Sequence, residues 1–99
     1  MTQYRYLLPA DEEMTEAAIF YEGRAKGLGT EFLDDLQRAV DKILNNPESG
    51  QLILENFRRS ILSRFPFSLI YTIEPESILI IAVAHQRSRP YYWKERVIR

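Results

Sequence analysis

Few side chains in this sequence can do chemistry, and most of them lie in its second half. There is one histidine, His85, and no cysteine. Imidazole exchanges a proton near neutral pH, so His85 is the only candidate for that work. The absence of cysteine excludes disulfides, thiolate metal sites and cysteine nucleophiles. A single histidine excludes a multi-histidine zinc site. No metal or cofactor is expected. His85 and the scattered serines form no hydrolase triad, because no acid stands at a recognisable partner spacing. Gly27 and Gly29 lie between two helical stretches rather than after a strand, so they are no phosphate loop. What remains is arginine. Residues 55–99 carry Arg58, Arg59, Arg64, Arg87, Arg89, Arg96 and Arg99 beside one lysine, Lys94. Guanidinium suits planar recognition of carboxylates and phosphates better than lysine does.

Those arginines create an asymmetry that the total charge conceals. The formal charge is −1 over 99 residues, but residues 1–54 sum to −5 and residues 55–99 to +4. The total argues against a nucleic-acid partner. A solvated acidic helix pair beside a sheet with exposed arginines explains the split as well as a binding face does. The length points to a single domain, 1–99. With 45% apolar and 27% charged residues, the composition is that of a globular protein, neither disordered nor fibrous. The N-terminus has no long apolar region and soon meets Asp11, Glu12 and Glu13, so it does not read as a signal peptide. The run Ile78 to Ala84 is too short to cross a bilayer as a helix. The expectation is a cytoplasmic protein without membrane contact. A domain of this size buries roughly 60–65% of its chain surface, so a partner would help to hold it.

The elements that must position these residues follow from periodicity. Tyr4 to Leu8 reads as a first strand that stops at Pro9. Met14, Ala17, Ala18, Tyr21 and Ala25 recur at helical spacing, which predicts a helix over about residues 10–26, with acids at its positive end. Gly27-Leu28-Gly29 turns the chain, and Thr30 is the expected N-cap of a second helix. The stripe of that helix is Phe32, Leu33, Leu36, Val40, Ile43 and Leu44, and Asn45-Asn46-Pro47 ends it. The short connection makes the helices an antiparallel hairpin. Beyond residue 56 the period becomes two. Arg58–Leu62, Phe67–Ile73 and Ile78–His85 read as strands, the last apolar on both faces and therefore central. Phe67, Leu69, Tyr71 and Ile73 should share a face, as should Leu79, Ile81, Val83 and His85. Leu52-Ile53-Leu54 reads as core, as an extra short strand, or as part of a groove for a partner. Residues 87–99 read as a last strand or a short helix. The sum is a two-layer α+β domain: an N-terminal strand, an antiparallel helix hairpin, then a three-stranded antiparallel meander in one sheet.

Particular residues make that order specific. Gly27-Leu28-Gly29-Thr30-Glu31-Phe32 opens the second helix and Asn46-Pro47 closes it. Arg64-Phe65-Pro66-Phe67-Ser68-Leu69-Ile70-Tyr71 opens the hairpin. His85-Gln86-Arg87-Ser88-Arg89-Pro90-Tyr91-Tyr92-Trp93-Lys94-Glu95-Arg96 follows the last clear strand. Together they resemble the RelE/ParE superfamily of type II toxin–antitoxin systems, in its plasmid-stabilisation branch, over roughly residues 4–96. The resemblance implies a small toxin neutralised by a cognate antitoxin in a hetero-oligomer. RelE-like members cut messenger RNA on the ribosome. ParE-like members poison DNA gyrase and have no known catalytic activity of their own.

Cutting RNA through its 2′-hydroxyl needs a base, cations for the phosphate, and an acid for the leaving oxygen. RelE-like ribonucleases carry an arginine within a Tyr-Arg-Leu-x-Tyr run. Here Phe67-Ser68-Leu69-Ile70-Tyr71 aligns with it and puts uncharged Ser68 at that place. Residues 48–63 hold no lysine, only Arg58 and Arg59, and the total charge is not basic. The resemblance leaves His85, Arg87 and Tyr92 as the residues of a ribonuclease, should the chain be one. The reading favoured is a ParE-like binder of gyrase without catalysis. Its contact candidates are Arg59, Arg64, Arg87, Arg89, Tyr91, Tyr92, Trp93 and Arg96, since arginine and aromatic residues anchor interfaces. A chain that binds its antitoxin but has lost toxicity is a third reading.

Each candidate also has a structural alternative. His85 can be a half-buried histidine bonded to backbone. Arg59 and Arg64 can be edge arginines that blunt aggregation. Tyr71 is expected in the core, and Trp93 is expected to pack the tail onto the sheet. The helix acids are expected to be solvated and to favour the helix dipole rather than form a catalytic pair.

Overall fold

Local sequence sets the entry into each element. The computed structural model describes residues 3–97. Strand β1 is Gln3–Tyr6, and Leu7, extended at φ −63° and ψ 149°, leads into helix α1, Leu8–Arg24. Pro9 sits in the first turn of α1, where a missing N–H leaves nothing unpaired. Helix α2 runs Leu28–Asn45, and Pro47 then opens a 3-10 turn, Pro47–Ser49. The strands β2 Gln51–Leu54, β3 Phe57–Ile61, β4 Phe67–Ile73 and β5 Ser77–His85 follow.

The turn between the helices differs from expectation in its cap. Gly27 has φ 86°, a left-handed conformation that glycine adopts without steric cost. A Cβ on Gly29 would lie 2.6 Å from the Ala18 carbonyl oxygen, so glycine is what lets the helices approach. The amides of Gly27 and Gly29 donate to the Glu22 carboxylate at 2.9 and 3.0 Å. The cap of α2 therefore comes from α1. Thr30, the expected N-cap, lies exposed within the helix.

The sheet is mixed, in the order β1-β5-β4-β3-β2, with β1 parallel to β5 and every other pair antiparallel. Four strands, not three, follow the hairpin. The apolar run Leu52-Ile53-Leu54 belongs to β2, which pairs with β3 and forms an edge. The helix hairpin carries the chain across the sheet, which lets β1 pair in parallel with β5. Strand β5 has a neighbour on each side, as its apolar composition requires.

A bulge divides β5. Ile70 pairs with Ala82 and Tyr71 with Ile80, leaving Ile81 without a partner. Side-chain direction shifts at that point. Ile78, Ile80 and Val83 join the helix-side core with Phe32, Leu36, Val40, Leu69 and Tyr71. Leu79, Ile81 and Ala82 join a second cluster on the opposite face with Phe57, Ile70 and Trp93. The expected shared face of Leu79, Ile81, Val83 and His85 is thus corrected: His85 goes with Val83 and with its partner Phe67. On β4, Phe67, Leu69 and Tyr71 share the helix face as expected, while Ile73 is exposed.

The tail closes the second face. Residues 86–97 contain turns, and their only helical part is one 3-10 turn, Lys94–Arg96, so this stretch is no strand. Residues 98 and 99 lie outside the described residues. Trp93 is 2% exposed and meets Phe57 edge to face, with ring centroids 5.3 Å apart.

Candidate functional site

The tail is tied down by one carboxylate. Beyond Tyr6, β1 no longer covers the edge of β5, so the backbone there needs other partners. The Val83 amide donates to Glu13 Oε1 at 3.0 Å, and Arg96 Nη1 donates to the Ile81 carbonyl at 3.0 Å. Arg96 also grips Glu13 with both terminal nitrogens, at 2.9 and 2.8 Å, and the Tyr92 hydroxyl donates to Glu13 Oε2 at 2.6 Å. The guanidinium lies over the Tyr92 ring, 5.1 Å from its centroid. A bidentate pair with added hydrogen bonds is a strong form of ion pair. Burial pushes the Tyr92 phenol well above its ordinary pKa, and its bond to Glu13 pushes it further. The Arg96 guanidinium is raised chiefly by its bond to Glu13. Both stay protonated at neutral pH.

His85 ends β5 edge-on to Phe67, with centroids 5.0 Å apart. Its Nδ1 accepts from the Arg87 amide at 3.0 Å. A neutral ring with Nδ1 accepting carries its proton on Nε2, so the basic nitrogen is already occupied by backbone. The Tyr92 hydroxyl is committed to Glu13 in the same way.

A groove of about 420 Å³ opens between the tail and the outer face of β3, β4 and β5. Its apolar wall includes Ile53, Ile61, Ile70 and Ala84, and its polar wall includes Arg59, Ser68, His85, Arg89 and Tyr91. Among the described residues that line it there is no carboxylate. Tyr91 has φ 58°, and its hydroxyl donates to the Ile53 carbonyl at 3.4 Å. A second groove, of about 380 Å³, runs between α1 and the end of β5. It is lined by Glu13, Phe20, Tyr21, Phe67, Val83 and Tyr92 among others.

The structure brings together only some of the residues singled out in the sequence. Arg59, His85, Arg89, Tyr91, Tyr92 and Trp93 all line the first groove. Trp93 does so as a buried wall, Tyr92 as part of the Glu13 cluster. Arg96 is held by Glu13. Arg87 is exposed and lines neither groove. Arg64 lies in the β3–β4 turn, 2.8 Å from Glu31 of α2. Tyr71 is fully buried, its hydroxyl donating to the Pro47 carbonyl at 2.7 Å and accepting from the Gly50 amide at 3.0 Å.

The acids are corrected. Glu13 is not merely a solvated helix residue, nor is Asp35, which is 1% exposed and receives the Arg64 and Phe65 amides at 2.9 and 3.1 Å. A signal for both was present: Glu13 lies between Ala10 and Ala17, and Asp35 between Phe32 and Ala39, at helical spacing inside the apolar stripe. Among the described residues no cluster of three potential metal ligands occurs, and no helix is long and apolar enough to cross a membrane.

Residues 4–90 match the family described as the ParE toxin of type II toxin–antitoxin systems, parDE. The chain belongs to the ParE toxin family. A solved structure described as the chromosomal ParDE toxin–antitoxin system from P. aeruginosa has the same fold. Its TM-score is 0.64 at 18% identity, over 86% of this chain and 96% of that one. No curated protein matches the sequence. The ParE match ends at Pro90, so the Tyr92–Glu13–Arg96 cluster draws its tail residues from beyond it.

Proposed function

We propose that this ParE-family chain is a growth-inhibiting toxin that works in the cytoplasm by binding DNA gyrase rather than by catalysis, held in check by a cognate antitoxin in a hetero-complex. The observation that carries the reading is the state of the groove's reactive groups. The His85 Nδ1 is occupied by the Arg87 amide, and the Tyr92 proton is given to Glu13. The resemblance puts Ser68 where a RelE-like nuclease carries its arginine, and Arg87 lines neither groove. What is left, Arg59, Arg89 and Tyr91, is suited to contact. The neighbour's description as a ParDE system supports an antitoxin partner. Phe20, which lines the second groove, and Ile19 beside it are 57% and 67% exposed, a surface suited to a partner's apolar side chains.

Purified protein added to a gyrase supercoiling reaction should inhibit it. No inhibition, with messenger RNA cut in a translating extract, would overturn the proposal and favour the ribonuclease reading, whose support is that His85 and Tyr92 line one groove with two arginines.

A further inference from the structure

The segment that carries Arg89 and Tyr91 is fixed at both ends. At its start, the Gln86 amide donates to the Pro66 carbonyl at 2.9 Å and the Ser88 amide to the His85 carbonyl at 3.0 Å. At its end stands Glu13. That one carboxylate accepts from the Tyr92 hydroxyl, both terminal nitrogens of Arg96 and the Val83 amide, at 2.6 to 3.0 Å. Between the two ties, Tyr91 has φ 58°, a conformation that a bulky residue keeps only where its surroundings enforce it. Its neighbours supply that constraint. Tyr92 is tied to Glu13, and buried Trp93 meets the Tyr91 ring with centroids 6.0 Å apart. Arg89 and Tyr91 are themselves exposed and line the first groove. Glu13 lines only the second, so it stands outside the face that they present.

We infer that Glu13 is a positioning residue for the contact face: by holding Tyr92 and Arg96 it fixes the pose in which Arg89 and Tyr91 meet the target. The inference rests on the gyrase reading for the identity of that target. A loop with both ends fixed has already lost much of the freedom that binding would otherwise remove, so its contacts form at lower entropic cost. Without the Glu13 charge the chain keeps Arg89 and Tyr91 but spreads them over many poses. They then bind more weakly, although no contact has been deleted.

The test reads the protein concentration that half-inhibits gyrase supercoiling. It compares the unaltered protein, Glu13→Gln, Arg89→Ala, the double variant and Ile43→Val. Glu13→Gln and Arg89→Ala should each raise that concentration about tenfold. The double variant should raise it by about thirtyfold or less, short of the roughly hundredfold of independent losses, because Glu13 acts through the segment that Arg89 belongs to. Ile43→Val loosens the opposite core and should leave the concentration within about twofold. Acrylamide should quench Trp93, the chain's one tryptophan, more readily in Glu13→Gln and no more readily in Ile43→Val. Should Glu13→Gln fail to fold, Tyr92→Phe removes one donor to Glu13, keeps the ring, and takes its place in the same comparison. A value for Glu13→Gln within about twofold of the unaltered protein overturns the inference. So does a full hundredfold loss in the double variant, or an equal loss in Ile43→Val. If the unaltered protein leaves gyrase active but arrests growth on expression, the gyrase reading falls alone. The same variants are then compared by the induction level that arrests growth, and the same outcomes decide. Neither inhibition nor arrest overturns both.

Discussion

The two faces of the sheet are covered by different means. The inner face lies under two helices, and its core is continuous from Ala10 and Ala17 through Phe32, Leu36 and Val40 to Leu69 and Ile80. Its one buried acid, Asp35, ties the β3–β4 turn to α2. The outer face lies under an irregular tail, which brings one large anchor, Trp93, and one ionic clamp, Arg96 with Glu13. The tail covers part of its face and leaves a groove beside it. The difference teaches where binding is easiest to build. A face closed by long helices keeps its groove to the rim, beside α1, whereas a face closed by a short strap can combine a packed end with an open one. The strap should also be a unit of lower local stability, because fewer contacts and a single clamp hold it.

That comparison breaks if the strap is only a cover. Trp93→Ala and Phe32→Ala remove large buried side chains from opposite faces, and each should cost about 3–5 kcal/mol in urea unfolding. A cost below about 1 kcal/mol for Trp93→Ala alone would show that the outer face is not a true core. Glu13→Gln should cost less, about 1–3 kcal/mol. It removes charge from a cluster of four donors whose ion-pair side chains are only 19% and 23% exposed. Its more telling effect is local. Amide hydrogen exchange should speed up in the tail, residues 86–97, while α2 and β4 keep their protection. Uniform loss across the molecule would mean that the strap and the helix layer unfold as one.

Much of this contrast was legible in the sequence, for reasons that also mark where legibility stopped. Strands β3, β4 and β5 are legible to within a residue and the helix hairpin to within three, the start of α2 being the poorest, because each has a clear period and strong terminators such as Gly27, Pro47 and the Glu74-Pro75 turn. Strand β2 was ambiguous because Leu52-Ile53-Leu54 is short and does not alternate. The parallel pairing of β1 with β5 depends on the return path of the hairpin, which no local pattern encodes. The bulge at Ile81 was hidden because β5 is apolar throughout, so a shift of one residue leaves no mark in hydropathy. That misassigned the face of His85. At the candidate site, residue type singled out Arg59, Arg89, Tyr91 and Tyr92, but not which donors were already engaged. Glu13 was overlooked because acids on helices are usually solvated, and its partners, Tyr92 and Arg96, are remote in sequence.

The smallest expected effect sharpens the account of the clamp itself. Burial, and after it the bond to Glu13, raise the Tyr92 phenol above its ordinary value of 10.0. A group whose pKa is higher in the folded state holds its proton more tightly there. Its contribution to stability is complete below the unfolded value and is lost as pH rises beyond it. Stability should therefore fall between about pH 9 and pH 11, and Tyr92→Phe should make that fall shallower. The variant should still show some decline, because burial also raises Tyr6 and Tyr21, and both remain. Arg96 does not interfere, since its bond to Glu13 raises its pKa above the ordinary guanidinium value and its titration lies above this range. Urea midpoints across the interval give the measurement. Parallel curves for the two proteins would mean that the Tyr92 phenol is free of Glu13 in solution, and that the strap is held by Arg96 and Trp93 alone.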